Sequence, residues 1–138
     1  MEKLVYLAGA MNYFRDKDYN EAKGWRLVMK QKLVSSNDNY GTRFTVFDPT
    51  LEEDKYHDIV TQNLYYLRKA DILVINLNAL EHSLGSIYEL AYFSYTGKPI
   101  ITIGGHNWLS HPYLEKFVSM RVDTVREAAD FIRRMYGQ

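Results

Sequence analysis

The sequence contains no cysteine, only three prolines and no long apolar run. The absence of cysteine excludes disulfides, thiol nucleophiles and cysteine-ligated zinc sites, and it is compatible with a reducing compartment. The apolar run over residues 72–75 is far shorter than the about 20 residues that a helix needs to span a bilayer. Residues 1–5 lead directly into a strand-like segment, without the apolar core of a signal peptide. We therefore expect a cytoplasmic protein that has no membrane partner.

An excess of charge of either sign is also missing. The chain has 17 Lys and Arg against 17 Asp and Glu, which gives a formal net charge of zero. Proteins whose main task is to grip nucleic acid or an anionic membrane carry a basic excess. We therefore expect no nucleic-acid partner. The length of 138 residues predicts a single domain over residues 1–138.

Several signatures of cofactor binding and catalysis are absent as well. The sequence contains neither G-x-G-x-x-G nor G-x-x-x-x-G-K-[ST], the two common phosphate-binding fingerprints, and it has no G-x-S-x-G nucleophile elbow. His106 and His111 are close in sequence, but no third ligand stands at a usable spacing for zinc. Together these absences predict that the protein uses neither a bound cofactor nor a metal ion.

Aromatic residues, in contrast, are abundant, with 12 Tyr, 6 Phe and 2 Trp. Tyrosine provides a flat apolar surface with a polar tip, which suits oligomer interfaces and pockets for flat ligands. The alternative is that the tyrosines only surround the core.

Apolar periodicity predicts an alternation of strands and helices along the chain. Predicted strands cover residues 4–8, 44–47, 72–77, 100–103 and 121–122, and predicted helices cover 19–34, 52–70, 86–96, 111–120 and 124–136. In the first helix, Ala22, Trp25, Leu27, Val28 and Leu33 fall near a helical period. Buried strands that alternate with helices form parallel βαβ units with helices on both faces of the sheet. We therefore predict an α/β flavodoxin-like, doubly wound, five-stranded parallel sheet of order 2-1-3-4-5.

This fold predicts where a ligand binds. In doubly wound sheets, ligands bind beyond the carboxyl ends of the strands, where the strand order reverses. Here that position is formed by the loops after the first and third strands, residues 9–12 and 76–85. The second loop leads into Ser83-Leu-Gly-Ser-Ile-Tyr-Glu-Leu90, whose amides and hydroxyls are suited to a phosphate or a 5′-hydroxyl near Ser83 and Ser86. The alternative is that Ser86 and Glu89 form an S-x-x-E capping box and have no other role.

Four segments, taken in order, resemble the nucleoside 2-deoxyribosyltransferase family, and the resemblance spans roughly residues 4 to 103. The segments are 5–10 (VYLAGA), 63–71 (NLYYLRKAD), 72–77 (ILVINL) and 83–90 (SLGSIYEL), the last followed by Gly97-Lys98-Pro99. The family includes hydrolases that cleave the N-glycosidic bond of 2′-deoxynucleoside 5′-monophosphates. The resemblance implies a flavodoxin-like sheet and a homo-oligomer in which neighbouring subunits contribute to each pocket.

The resemblance also implies roles for individual residues. Glu89 matches the nucleophile that attacks C1′ to form a glycosyl-enzyme intermediate, and Tyr6 matches the tyrosine that orients this carboxylate. Ser83 stands where typical transferases carry an aspartate that holds the 5′-hydroxyl and where the monophosphate hydrolases carry a serine, which does not repel a phosphate. The predicted substrate-binding residues are Gly9, Ala10, Met11, Ser83, Gly85 and Ser86, and the predicted catalytic residues are Glu89, Tyr6 and Asn63.

Two positions depart from the family pattern. Asn63 stands where most members have an aspartate that transfers a proton to or from the leaving base, and an amide cannot act as a general acid at neutral pH. Catalysis then is slow, uses another acid, or favours a base that needs little protonation. Ala10 replaces a phosphate-binding serine of the monophosphate hydrolases, so a phosphate would lose one ligand.

The sequence is therefore compatible with three functions. The favoured hypothesis is a deoxyribosyltransferase that cleaves 2′-deoxynucleosides and passes the sugar to another nucleobase. One alternative is hydrolysis of deoxynucleoside monophosphates. The other is a non-catalytic nucleotide-binding module, in which Asn63 marks lost chemistry and Glu89 only caps its helix.

Overall fold

The computed structural model describes residues 1–11, 19–35, 37, 41–51 and 59–137, except for the side chains of residues 19–22 and 51. Within these ranges, strands and helices alternate along the chain. The strands are β1 (Glu2–Gly9), β2 (Arg43–Phe47), β3 (Ile72–Asn76), β4 (Ile100–Ile103) and β5 (Met120–Val122). The helices are α1 (Tyr19–Val34), α2 (Ile59–Lys69), α3 (Leu84–Ser94), α4 (Pro112–Phe117) and α5 (Val125–Tyr136).

The five strands form one parallel sheet of order β2-β1-β3-β4-β5. The apolar runs of the inner strands explain this arrangement, because only a sheet covered on both faces can bury them. Gly9 is paired with Asn76 at the carboxyl edge of the sheet, so the ends of β1 and β3 lie side by side. The predicted fold class and strand order are confirmed.

Helices cover both faces of the sheet. Alternate residues of β1 point to opposite sides, with Val5 and Leu7 in one core and Tyr6 and Ala8 in the other. The first core is completed mainly by α1 and α5, and the second mainly by α2 and α3. The helical residues in these cores include Met29, Leu33, Ala128, Ala129 and Ile132 on the first face and Leu67, Leu90 and Phe93 on the second.

The apolar stripe predicted for the first helix is partly wrong. Leu27 and Val28 are exposed, whereas Arg26, Met29 and Leu33 are fully buried. Their spacing of three and seven residues is that of a single helix face. The buried face therefore includes an arginine, which a search for apolar periodicity does not count.

Several predicted boundaries also shift. The third helix begins at Leu84 rather than at residue 86, because Ser83 is its N-cap. It ends at Ser94 rather than at residue 96. The fourth helix is shorter than predicted, and the fifth strand begins at Met120. The predicted start of the second helix at residue 52 lies outside the described residues. Within the described part of the chain, no helix combines the length and the apolar character needed to cross a membrane.

Candidate active site

A cleft of about 800 Å³ opens at the carboxyl ends of β1 and β3, where the strand order reverses. It is bounded by the loop after β1, the beginning of α2, and the loop that leads into α3 together with the first turns of that helix. Seven of the nine predicted site residues line it: Gly9, Met11, Asn63, Ser83, Gly85, Ser86 and Glu89. Tyr6 and Ala10 are buried beside it and do not line it. Asn12, which the sequence analysis placed in the same loop, lies outside the described residues.

Tyr6 and Glu89 meet at the base of this cleft. Tyr6 is a central residue of β1 with no exposed surface, and its ring lies 5.2 Å from that of Phe47. Its hydroxyl donates a hydrogen bond to Oε2 of Glu89, which lies 83 residues away in the sequence. The contact fixes the catalytic candidate on α3 to the centre of the sheet.

The surroundings of Glu89 shift the pKa of its carboxyl group. Burial raises the pKa of this carboxyl to about 7, while the Tyr6 hydrogen bond and the positive charge of Arg26 act in the opposite direction. Burial and the neighbouring Glu89 raise the pKa of Tyr6 far above its usual range, so Tyr6 keeps its proton and acts as a donor. A carboxyl that titrates near neutral pH in a cleft is typical of a catalytic group.

Arg26 also lines the cleft, although no motif in the sequence marks it. It lines the cleft with no exposed surface, and its Nη2 donates to the carbonyl oxygen of Gly9 at 2.9 Å. Its Nε lies 3.4 Å from the carbonyl oxygen of Leu7 and 4.0 Å from Oδ1 of Asp48. The arginine thus ties α1 to the end of β1 and brings a positive charge near Glu89. The signal that could have found it is its position on the same helix face as Met29 and Leu33.

Gly9 allows the close packing under the cleft. Its φ of 151° is rarely adopted by residues with a side chain. A Cβ at this position would lie 3.3 Å from Cβ and O of Asn76 and from Cζ2 of Trp25. Only glycine therefore fits between α1 and β3 without a shift of its neighbours.

Ser86 and Glu89 do not form the capping box that was considered as an alternative. Ser83 caps α3, because its Oγ accepts a hydrogen bond from the Ser86 amide at 3.3 Å and donates to the Ser86 hydroxyl at 2.8 Å. Glu89 instead lies in the second turn of the helix and contacts Tyr6. Its position is therefore explained by the cleft and not by the helix end.

The two histidines that follow β4 have separate partners. His106 Nε2 lies 2.5 Å from Oε2 of Glu81, whereas His111 accepts a hydrogen bond from the Tyr113 amide at 3.3 Å. No cluster of three potential metal ligands occurs among the residues that the structure describes.

Comparison with known proteins decides the family. The sequence model described as "Nucleoside 2-deoxyribosyltransferase like" matches residues 2–106, which is most of the chain. The chain belongs to this nucleoside 2-deoxyribosyltransferase-like family. The predicted resemblance is confirmed, and the family supports chemistry on nucleosides and nucleobases at this coarse level.

A solved structure supports the fold independently. The crystal structure of a conserved protein from Enterococcus faecalis V583 aligns with a TM-score of 0.65 and 12% sequence identity, over 97% of this chain and 99% of that one. At this identity the likeness concerns the fold alone. Comparison with curated proteins gives no match.

Asn63, one of the two expected departures from the family pattern, borders the cleft. It projects from α2 into the cleft, and its Oδ1 is buried without a hydrogen-bond partner among the described residues. A buried acceptor without a partner is costly unless a ligand supplies a donor. The amide oxygen is therefore suited to accept a hydrogen bond from an N–H group of a ligand, but the amide has no titratable proton.

Proposed function

We propose that this protein cleaves the N-glycosidic bond of 2′-deoxynucleosides and transfers the deoxyribosyl group to another nucleobase. The proposal rests on one observation above all, the hydrogen bond between Tyr6 and Glu89 at the base of the cleft. Through this bond, a carboxylate with a raised pKa lies at the carboxyl edge of the sheet. The family resemblance assigns the nucleophile to this residue.

The proposed reaction has two displacement steps. The Glu89 carboxylate attacks C1′ through an oxocarbenium-like transition state, the base departs, and a glycosyl-enzyme intermediate forms. A second base then attacks C1′ and releases Glu89, so the configuration at C1′ is retained. Tyr6 holds the carboxylate in place and keeps its own proton throughout.

A second candidate, hydrolysis of deoxynucleoside monophosphates, is favoured by the composition of the cleft. Glu89 is the one carboxylate among the described residues that line it, and Ser83 at the beginning of α3 carries no charge. A 5′-phosphate would therefore meet hydroxyls and helix amides there rather than a second anion. Ala10, which has no polar side chain, provides no ligand for it.

One experiment separates these functions. The protein is incubated with deoxynucleosides or their monophosphates, each with and without an acceptor base, and the products are resolved by chromatography. A new nucleoside supports transfer, and free base from a monophosphate supports hydrolysis. Glu89→Gln serves as the matched control and should be inactive in every arm. Binding without turnover by the wild type would contradict both enzymatic functions and would favour a non-catalytic module.

A further inference from the structure

We propose that His82 is the catalytic residue that protonates the departing nucleobase. This inference rests on the proposed function, since it names the acid of the same reaction. A purine or pyrimidine leaves readily only when it is protonated as its bond to C1′ breaks. Asn63 has no titratable proton, so another group must act as the general acid.

Among the described residues in and beside the cleft, the other ionisable groups are less suited to this step than an imidazole. Glu89 is occupied as the nucleophile, and the buried Tyr6 retains its proton because its pKa is raised. Arg26 also lines the cleft, but guanidinium groups do not release protons in proteins. Imidazole is the side chain that gives and takes a proton near neutral pH, and His82 is the histidine among the described residues that line the cleft.

The position of His82 suits this task. It ends the short 3-10 turn Leu80–His82, immediately before Ser83, and stands seven residues before Glu89. Its side chain is 47% exposed, so the ring is accessible to a ligand in the cleft. His82 and Asn63 belong to different elements that border the same cavity.

The carboxylate of Glu81 lies close to the His82 ring. Glu81 Oε1 lies 3.8 Å from His82 Nε2, and its other oxygen, Oε2, lies 2.5 Å from Nε2 of His106. The His106 hydrogen bond lowers the pKa of Glu81, which therefore stays ionised. The Glu81 carboxylate therefore contacts both imidazole rings and is placed to orient the His82 side chain. Glu81 is accordingly a positioning residue, and it also borders a smaller cavity of about 480 Å³ together with His106 and Trp108.

The proton and electron balance of the step is complete. As Glu89 bonds to C1′, the electron pair of the C1′–N bond moves to the base, which takes a proton from the His82 imidazolium and leaves neutral. In the second step, an acceptor base or water bonds to C1′ and gives its proton to the neutral His82. The bond from C1′ to Glu89 breaks, and the carboxylate and the imidazolium are both restored.

The test compares two leaving groups. His82→Gln is assayed with the deoxynucleoside that the wild type cleaves fastest and with 4-nitrophenyl 2-deoxyribofuranoside, whose nitrophenolate leaves without a proton. We expect a loss of about 100-fold or more in kcat with the deoxynucleoside, the usual contribution of a general acid. With the nitrophenyl substrate, kcat should stay within about threefold of the wild type. Glu89→Gln should lose both activities, and His111→Gln, on a histidine outside the cleft, should lose neither.

The other outcomes separate failure of this inference from failure of the proposed function. Equal losses of His82→Gln on the two substrates, or no loss on the deoxynucleoside, would overturn His82 as the acid. A wild type that cleaves only the nitrophenyl substrate would overturn it as well. A wild type that cleaves neither substrate would refute the proposed function itself.

Glu81 is tested with the same two substrates. Glu81→Gln removes the carboxylate beside the His82 ring and leaves His82, Glu89 and Arg26 in place. We expect kcat with the deoxynucleoside to fall by about tenfold, while kcat with the nitrophenyl substrate stays within about threefold of the wild type. Equal losses on the two substrates, or no loss on the deoxynucleoside, would overturn the assignment of Glu81 as a positioning residue.

Discussion

At the scale of single residues, the burial of Glu89 affects stability as well as reactivity. The carboxyl has a pKa of about 7 in the folded protein, above its ordinary value of 4.5, so the folded state binds more protons than the unfolded state between these values. The stabilising contribution is complete below pH 4.5 and is lost as the pH rises through 7. Glu89→Gln should therefore be more stable than the wild type at pH 8.5, on the order of 1–3 kcal/mol, and the difference should vanish near pH 4.

Urea denaturation at a series of pH values measures this difference, with the slope of the transition used to confirm that the unfolded state is comparable. Wild-type and variant stabilities that run parallel from pH 4 to 8.5 would contradict the raised pKa of Glu89. The same variant should show no turnover, which separates its stability from its activity.

Tyr6 affects the pKa of the same carboxyl group. Its hydrogen bond lowers the pKa of Glu89, so Tyr6→Phe should raise that pKa and leave less of the ionised carboxylate at a given pH. We expect the acidic limb of kcat/KM to move to higher pH, with a larger loss of activity at pH 6.5 than at pH 8.5. A uniform loss at all pH values would indicate that Tyr6 contributes only packing.

Ser83 is predicted to choose between a nucleoside and a nucleotide. If the beginning of α3 admits a phosphate, a deoxynucleoside monophosphate should bind more tightly than its nucleoside. Ser83→Asp should reverse this order, because a carboxylate repels the phosphate and accepts a hydrogen bond from the 5′-hydroxyl. Calorimetric titration of both ligands into both proteins measures the order. Equal affinities in the wild type that Ser83→Asp leaves unchanged would show that Ser83 recognises neither group.

At the scale of secondary-structure elements, Arg26 fixes α1 to the sheet edge below the cleft. It is buried together with Asp48, whose Oδ2 has no hydrogen-bond partner among the described residues. Removal of one partner of a buried ion pair leaves the other charge uncompensated, which typically costs about 3–5 kcal/mol. Arg26→Met should show a loss of this size in urea denaturation.

Lys30→Met, on the same helix but outside the buried ion pair, serves as the matched control and should change stability by less than about 0.5 kcal/mol. The double variant Arg26→Met, Asp48→Asn should recover part of the loss, because the lone buried carboxylate is then removed. A double variant with fully additive losses would show that the two side chains do not stabilise each other.

The elements themselves were predictable because their signals are local. The unbroken apolar run of β3 and the glycine and proline after α3 are sufficient to place a buried parallel strand and a helix end. The choice of Ser83 over Ser86 as the N-cap was not predictable, since both are favoured N-cap residues and only Ser86 has a glutamate three residues later. Glu89 instead contacts Tyr6, which lies 83 positions away in the sequence. The burial of Arg26 was not predicted for a related reason, because its partners lie on other elements.

At the scale of the whole molecule, α3 presents an exposed apolar stripe. Leu84, Tyr88 and Tyr95 are 79%, 65% and 89% exposed, and their spacing of four and seven residues keeps them on one face. Leu84 and Tyr88 also border the cleft. Exposed aromatic and apolar side chains on one helix face are typical of interfaces, which supports the predicted homo-oligomer as a proposal.

Light scattering at micromolar concentration tests this proposal. We expect the wild type to have a mass that is a multiple of the chain mass, and Tyr95→Glu to lower it by placing a charge on the stripe. Tyr113→Glu, an equally drastic change at an exposed tyrosine of α4, should leave the mass unchanged. A wild type with the mass of a single chain would contradict the homo-oligomer.

The packing of Trp25 against the end of β1 gives the molecule an optical reporter. The sequence has two tryptophans, Trp25 next to Gly9 beneath the cleft and Trp108 in the segment that follows β4. In a Trp108→Phe variant, all indole fluorescence would come from Trp25, whose neighbour Arg26 lines the cleft. We expect occupation of the cleft to change this emission through Arg26 and Gly9, so that ligands can be ranked by fluorescence titration whether or not the bound molecule is turned over.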